Sequence, residues 1–335
     1  MKAKKIKTIP LIFSVGLLIT FLFLNDCGDY KKKTYKVGIL SGLEFLSGTV
    51  DGFKSKMTEL GYIEGKNIAY DVQKTNFDLI EYRHILTKFI NEKVDLIFVF
   101  PTEAAMEAKA ATQGKDIPIV FANVFTENTG LVNSIREPGG NITGVRWAGA
   151  EIALKRFEIM LELAPKTKRI LIIYQKDYPI VRIQLDALHI ASAAAGVSMI
   201  EIPASNVTEL ELELQKQSKS INKETDFILL IAEPLLAVPA PFIVLGKFAS
   251  DHKIPIGGIN LVFGGYESVF GLIPQSIPQG KQSAYLVDKI FKGAKAGTIP
   301  VVSAENILQI NYKEAEKFGL NLSEGLLSRA NEIIR

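Results

Sequence analysis

Short apolar runs alternate with amphipathic segments along most of this 335-residue chain, and the alternation limits the folds it can adopt. The runs YKVGIL (35–40), DLIFVF (95–100) and PIVFAN (118–123) are typical of strands buried on both faces. The segments between them, such as LIEYRHILTKFINEK (79–93), carry apolar residues at helical spacing. This order predicts an α/β fold with a parallel sheet covered by helices.

The same pattern starts again in the second half of the chain. RILIIY (169–174) predicts a strand, VRIQLDALHIASAAAG (181–196) a helix, and DFILLIA (226–232) another strand. The chain beyond its first 35 residues is also longer than one hydrophobic core usually serves. We therefore predict two Rossmann-like lobes with a ligand cleft between them, lined by the loops that follow the strands.

The amino-terminal segment has the pattern of an export signal. Four lysines precede residues 9–24, which carry no charge and are mostly apolar. This run is shorter than the roughly 20 residues that a membrane-spanning helix needs. Cys27 follows it and is the only cysteine in the chain, so it cannot form an internal disulfide.

The stretch LNDC, which ends at Cys27, resembles the lipobox of bacterial lipoproteins. The resemblance implies a signal peptide over 1–26, a lipid anchor on Cys27 and a tether over 27–34 that holds the protein at a bacterial membrane. Asp26 stands where lipoboxes usually have a small residue. An uncleaved anchor, or cleavage elsewhere with Cys27 incidental, remains the alternative.

Other function classes find little support in the sequence. The net charge is +3, and no basic patch with interleaved aromatic residues predicts nucleic-acid binding. The three histidines, His84, His189 and His252, lack the spacing of metal ligands, and no GxSxG or phosphate-loop motif occurs. We therefore expect no metal, no cofactor and no catalysis.

Several longer stretches carry a family resemblance. They include GFKSKMTELGYIEGKNI (52–68), GLVNSIREPGGNITGV (130–145) and the closing LQINYKEAEKFGLNLSEGLLSRANEII (308–334). In this order they resemble the bacterial ABC-transporter substrate-binding lipoproteins, a family that includes members binding tryptophan and other aromatic amino acids. The resemblance implies a type I periplasmic-binding-protein fold, in which two lobes close on a small ligand.

The resemblance also implies where the lobes meet. Three crossing segments are expected at 140–149, at 269–274 and near 301–308. The first lobe would then comprise 35–145 plus about 272–300, and the second lobe 146–271 plus about 301–335.

The candidate ligand-binding residues come from the loops after the strands and near the first crossing. They are Leu43, Glu44, Thr102, Glu103, Asn123, Phe125, Trp147, Tyr178, Glu233, Asn260 and Tyr266. Glu233 stands where the family often has an aspartate, and either Glu233 or Glu103 would pair with a ligand ammonium. A ligand carboxylate would need backbone amides or a cation such as Arg146. Trp147 and Phe125 are equally explained by packing, and Glu103 by a solvent-facing first turn of a helix.

The function that these observations predict is that of a monomeric, lipid-anchored receptor that presents a small solute to an ABC permease and its ATPase subunits. An aromatic amino acid is the favoured ligand, with another amino acid or a small amide-bearing solute as alternatives. The ligand loops depart from the family pattern, which leaves open a sensor or surface lipoprotein without a transport role. An exported α/β enzyme has less support, because no nucleophile and base come together in the sequence.

Overall fold

The structure is a computed structural model that describes residues 33–335. The predicted signal peptide, Cys27 and most of the predicted tether lie outside the described residues.

The first lobe is built on a parallel sheet flanked by helices. Within the described residues its strands are β1 (Tyr35–Ser41), β2 (Ile68–Lys74), β3 (Leu96–Phe100), β4 (Ile119–Phe125), β5 (Ile142–Trp147) and β13 (Val302–Ser303). Its helices are α1 (Gly48–Glu59), α2 (Leu79–Asn91), α3 (Thr102–Ala111) and α8 (Ser276–Phe291). The strand order is β13-β5-β4-β3-β1-β2, and each pairing is parallel.

Strand β3 shows why the strands of the first sheet have continuous apolar sequences. Phe98 and Phe100 belong to the core cluster that includes α1 and α8, whereas Ile97 and Val99 belong to the cluster under α2 and α3. Successive side chains of a strand point to opposite faces, so a strand covered on both sides needs an apolar residue at each position.

The second lobe combines two smaller sheets. Its parallel sheet has the order β7-β6-β8-β9, with β6 (Arg169–Gln175), β7 (Ser198–Ala204), β8 (Asp226–Leu229) and β9 (Ile256–Gly257). Beside it lie β12 (Phe270–Pro274), β14 (Asn306–Asn311) and β15 (Glu332–Ile334), and a hairpin is formed by β10 (Val262–Phe263) and β11 (Tyr266–Glu267). The helices are α4 (Gly149–Leu163), α5 (Val181–Ala194), α6 (Val207–Gln217), α7 (Pro239–His252), α9 (Tyr312–Lys317) and α10 (Glu324–Arg329).

The chain crosses between the lobes at three places: from β5 to α4, from β12 to α8, and from β13 to β14. The last crossing lies between Ser303 and Asn306. Val302 and Ser303, which we assigned to the second lobe, pair with Val145 and Arg146 of the first sheet. Their backbone groups therefore extend the edge of that sheet before the chain leaves it.

Helix α8 returns to the first lobe and packs against α1 with almost no space between the backbones. A Cβ atom at Gly280 would stand 2.0 Å from the Thr49 carbonyl oxygen, and one at Gly52 would stand 2.1 Å from the Ile277 carbonyl oxygen. Only glycine permits so close an approach. The first lobe thus depends on a helix that follows the second lobe in sequence.

The predicted α/β architecture is confirmed. The helix predicted over 79–93 is α2 (Leu79–Asn91), where the Asp78 carboxylate accepts hydrogen bonds from the Ile80 and Glu81 N–H groups. Gly264 and Gly265 form the β10–β11 turn with φ values of 60° and 83°. Helix α4 was not predicted from the sequence.

Candidate ligand-binding cleft

A cavity of about 670 Å³ lies between the lobes at the carboxyl ends of the strands. This is the edge at which open α/β sheets bind their ligands. The first lobe, together with the crossing from β12 to α8, contributes Leu43, Phe45, Leu46, Phe77, Phe125, Trp147, Ile273, Pro274, Gln275 and Ser276. The second lobe contributes Arg156, Tyr178, Ile180, Ala232, Glu233, Pro234, Ala237 and Ile259.

The first-lobe wall is aromatic. Phe125 ends β4 and Trp147 ends β5, and their rings meet edge to face with centroids 5.4 Å apart. Phe45 and Phe77 lie on the loops after β1 and β2, with 72% and 50% of their surface exposed. Four aromatic rings from four strand ends therefore face one space.

The Trp147 indole is held by a buried amide network. Its Nε1–H donates to the Gln279 Oε1 at 2.9 Å, and the Gln279 Nε2 donates to the Asn123 Oδ1 at 2.6 Å. The Asn123 Nδ2 in turn donates to the Thr49 Oγ1 at 2.8 Å. Asn123, a predicted ligand residue, is thus outside the cavity lining, and its side-chain amide is already bonded within the lobe.

Thr102 and Glu103 begin α3 and also lie behind the cavity lining. The Thr102 Oγ1 accepts a hydrogen bond from the Phe125 N–H at 3.0 Å and fixes the end of β4. Burial raises the pKa of Glu103. The negative charge of its carboxylate also raises the pKa of the Tyr178 phenol in the second lobe. Glu103 therefore lies near the cleft and not in bulk water.

Glu233 is the acidic group of the second-lobe wall. Its Oε2 accepts hydrogen bonds from the Gln175 N–H at 2.9 Å and the Leu235 N–H at 2.7 Å, and its Oε1 accepts one from the Leu236 N–H at 2.7 Å. Burial nevertheless raises the pKa of Glu233 to about 7. A carboxylate accepts about four hydrogen bonds, so Oε1 keeps capacity for one more.

Tyr178 lies beside Glu233 on the loop after β6. Burial raises the pKa of the Tyr178 phenol to about 12, and the carboxylates of Glu103 and Glu233 act in the same direction. The phenol therefore stays protonated at neutral pH and presents a hydroxyl that can donate or accept a hydrogen bond.

Arg156 is a cavity residue that sequence reasoning missed. It lies in α4 with 2% of its surface exposed, and its Nε and Nη2 both donate to the Leu272 carbonyl oxygen, at 3.0 and 2.8 Å. The signal was present in the sequence, because Arg156 interrupts the apolar stripe formed by Ala153, Phe157 and Met160. A buried arginine in such a stripe needs a partner.

Three other predicted residues also lie outside the cavity lining. Glu44 follows the lining residue Leu43 but is exposed. The Asn260 Nδ2 donates to the Gln309 Oε1 at 3.2 Å. Tyr266 packs over Gly246 of α7, because the β10–β11 hairpin folds back onto that helix instead of over the cleft.

A larger cavity, of about 800 Å³, lies at the opposite edge of the second sheet. Its lining includes Thr167, Asp226 and Pro255, which precede or begin strands. Asp226 is ion-paired with Arg169. This cavity is at the amino ends of the strands and gathers surface lysines, so it is not the expected place for a ligand.

Metal and membrane features are absent from residues 33–335. No cluster of three or more histidine, cysteine, aspartate or glutamate side chains there has the arrangement of a metal site. No helix in the same range combines the length and apolar character needed to cross a bilayer.

Comparisons with known proteins give relatives that match over nearly the whole described chain. The chain is 28% identical over 319 residues to a tyrosine-binding protein of Clostridioides difficile (strain R20291), a match that covers 91% of this chain and 89% of that protein. Its fold matches that of an ABC domain solved in complex with L-Trp from Streptococcus pneumonia, with a TM-score of 0.73, 21% identity, and 90% and 100% of the two chains covered. It also matches the ligand-free, open structure of a substrate binding protein with adhesive properties from Clostridium difficile, with a TM-score of 0.73, 23% identity, and 90% and 99% covered.

A family model described as "ABC transporter substrate binding protein" matches residues 37–334, nearly the whole described chain. These matches confirm the predicted type I periplasmic-binding-protein fold. The family consists of solute-binding components of ABC transporters and not of enzymes. The chain therefore belongs to the ABC transporter substrate-binding protein family.

Proposed function

We propose that this protein is the receptor of an ABC importer and that it binds an amino acid with an aromatic side chain between its lobes. The observation that carries the proposal is the composition of the cleft. Phe45, Phe77, Phe125 and Trp147 form one wall, and a buried carboxylate stands on the other. Ligand sites of this kind are mostly apolar with a few converging polar groups.

The ligand ammonium is assigned to Glu233. Its carboxylate is held by three backbone N–H groups, so it is positioned before the ligand arrives. Its Oε1 has room for one further donor. The name of the tyrosine-binding relative and the L-Trp in the Streptococcus complex support an aromatic amino acid over other solutes.

Closure of the lobes would couple binding to transport. At the mouth of the cleft, Phe45 is more than half exposed and Phe77 is half exposed. Closure on a ligand would therefore remove apolar surface from water. A ligand that contacts both walls favours the closed form, and the permease and ATPase subunits would respond to that form. The receptor itself needs no oligomer for this cycle.

The test uses Trp147, the only tryptophan in the chain, which lines the cavity. Titration with L-phenylalanine or L-tyrosine should change its emission in a saturable way, and L-alanine should leave it unchanged at the same concentrations. Calorimetry with L-tryptophan completes the series. Absence of saturable binding for all three aromatic amino acids would reject this ligand class.

We further propose that the protein is exported and anchored through a lipid on Cys27. The support is the sequence LNDC after an uncharged apolar run. A bacterium expressing the full chain should incorporate a palmitate analogue into it and retain it in the membrane fraction. The Cys27→Ala variant should lose the label. A wild-type chain that carries no lipid would contradict the anchor but not the receptor.

A further inference from the structure

We propose that Arg156 binds the carboxylate of the ligand, and this inference rests on the proposed function of the same cleft. Sequence reasoning pointed to Arg146 for such a role. In the structure Arg146 is bonded to Glu127 and Glu151, each at 2.6 Å, and it does not line the cavity. Arg156 lines the cavity and has no such acidic partner among the described residues.

The geometry of Arg156 leaves one part of its guanidinium free. The Nε and Nη2 are fixed on the Leu272 carbonyl oxygen, whereas within residues 33–335 the Nη1 is buried and makes no hydrogen bond. A buried donor without an acceptor is unfavourable, more so when it is charged. Because Arg156 lines the cavity and its buried Nη1 has no acceptor within the described residues, we infer that the ligand supplies the acceptor when the lobes close on it.

The charge balance of the cleft favours an anionic acceptor. Burial lowers the pKa of Arg156 to about 9, and no neighbouring carboxylate raises it again. The side chain is still positively charged at neutral pH. Glu233 does not neutralise Arg156, since its carboxylate accepts hydrogen bonds from the Gln175, Leu235 and Leu236 N–H groups and none from the guanidinium. A ligand carboxylate on Nη1 would supply the missing negative charge in a charge-assisted hydrogen bond.

Arg156 and Glu233 together would read the two charges of an amino acid. Nη1 has two N–H groups and Nη2 keeps one after bonding to the Leu272 carbonyl, so the Nη1–Nη2 edge of the guanidinium retains donors for the carboxylate. The Leu272 carbonyl fixes the plane of the guanidinium and thereby the position of the carboxylate. The class of ligand that this arrangement selects is an aromatic compound with both an ammonium and a carboxylate.

The experiment separates the two charges with three ligands: L-tyrosine, L-tyrosinamide, which lacks the carboxylate, and 3-(4-hydroxyphenyl)propanoate, which lacks the ammonium. Calorimetry on the full chain in mild detergent should give a dissociation constant for L-tyrosine about 10- to 100-fold below that for L-tyrosinamide. The Arg156→Gln variant should weaken L-tyrosine by a similar factor and leave L-tyrosinamide within about twofold. Arg146→Gln is the matched control and should keep the wild-type preference.

Folding and function are separated by the same panel. If Arg156→Gln does not fold, Arg156→Lys and the wild-type comparison of L-tyrosine with L-tyrosinamide still decide the question. Equal wild-type affinity for those two ligands, or unchanged L-tyrosine binding by a folded Arg156→Gln, would overturn the role of Arg156 and leave the proposed function intact. Wild-type binding of the propanoate, lost in Arg156→Gln, without binding of any aromatic amino acid, would reject the proposed ligand and keep the role of Arg156. Failure of all the carboxylates to bind would overturn both.

Discussion

The two walls of the cleft differ in chemistry and in how they are held. The first-lobe wall presents aromatic rings from the ends of β1, β2, β4 and β5, and two of these rings are largely open to solvent. The second-lobe wall presents Arg156, Tyr178 and Glu233. Its charged groups are pinned by backbone carbonyl and N–H groups. One wall offers apolar area, and the other offers fixed polar contacts.

This difference divides the work of recognition. Apolar surfaces stabilise a ligand roughly in proportion to the area buried, and they distinguish related side chains weakly. Buried polar groups penalise a ligand that leaves them unpaired. We therefore expect the first lobe to set how tightly a ring is held and the second lobe to decide which compounds are accepted.

The largest expected effect is on the support of the first-lobe wall. Gly280→Ala would place a methyl group 2.0 Å from the Thr49 carbonyl and push α8 away from α1. We expect the free energy of unfolding to fall by about 3 kcal/mol in urea titration, the upper range for overpacked sites. Gly325→Ala in α10, where a Cβ meets open space, should not destabilise the protein. Equal stability of the two variants would contradict the close contact.

The second-lobe wall should make stability depend on pH, because it contains Glu233. The pKa of Glu233 is about 7 in the fold against an ordinary value of 4.5. Its contribution is fully present below pH 4.5 and is lost as the pH rises through 7, a fall of about 3 kcal/mol. The Tyr178 phenol interacts with the carboxylates of both Glu233 and Glu103, and burial raises the pKa of Glu103 as well. The difference between the unfolding curves of wild type and Glu233→Gln isolates Glu233, and parallel curves would rule out its titration.

Ligand binding should have the opposite pH dependence at Glu233. The ionised carboxylate binds the ammonium, so affinity for L-tyrosine should rise between pH 5.5 and 8. Glu233→Gln should weaken L-tyrosine by about 10- to 100-fold at pH 8 and remove the slope. Calorimetry with 3-(4-hydroxyphenyl)propanoate is the control, since a ligand without an ammonium should lose little.

A smaller effect is expected from loss of the hydrogen bond that orients Trp147 in the first-lobe wall. Gln279→Met removes the acceptor of the Trp147 indole N–H and leaves the Asn123 Oδ1 and backbone N–H without their partners. We expect a loss of about 2 kcal/mol in the free energy of unfolding and a change in Trp147 emission. Lys281→Met, an exposed neighbour in α8, should stay within about 0.5 kcal/mol. Identical emission spectra would show that the network does not hold the indole.

The smallest effect is expected at the mouth of the cleft. Phe45→Ala should leave the unfolding free energy within about 0.5 kcal/mol, because the ring is 72% exposed. Its affinity for L-tyrosine should fall by about two- to fivefold if closure covers the ring. Ile190→Ala in α5, equally exposed but away from the cavity, should change neither quantity. An unchanged affinity in Phe45→Ala would remove that ring from the binding wall.

The sequence predicted the architecture because burial leaves a local periodic mark. The run 95–100 indicated a strand covered on both faces, and β3 (Leu96–Phe100) is such a strand. The cleft was harder to predict because its lining depends on side-chain direction. Asn123 ends a predicted strand, where a ligand residue is expected. In the structure it has a left-handed φ of 52° and is hydrogen-bonded to Gln279, a residue 156 positions away in sequence.

Arg156 shows the limit more sharply. We predicted ligand residues from the loops that follow strands, whereas Arg156 lies within a helix. Its place in an apolar stripe marked it as buried, but only the fold shows that its carbonyl partner is Leu272, 116 positions away in sequence. Tyr266 is the opposite case: we predicted it to bind the ligand, but the segment that carries it forms a hairpin against α7.

The return of α8 and β13 to the first lobe has a consequence for the order in which the chain can fold. Residues 35–147 supply five strands and three helices of that lobe but not the helix that seats against Gly52 or the strand that pairs with β5. During synthesis from the amino terminus, these pieces arrive only when position 303 of 335 has emerged. Until then Val50 and Phe53 lack part of their cover. If the chain is exported as proposed, this late completion would keep the first lobe unfinished until most of the chain has been made, which suits passage through a membrane in the unfolded state.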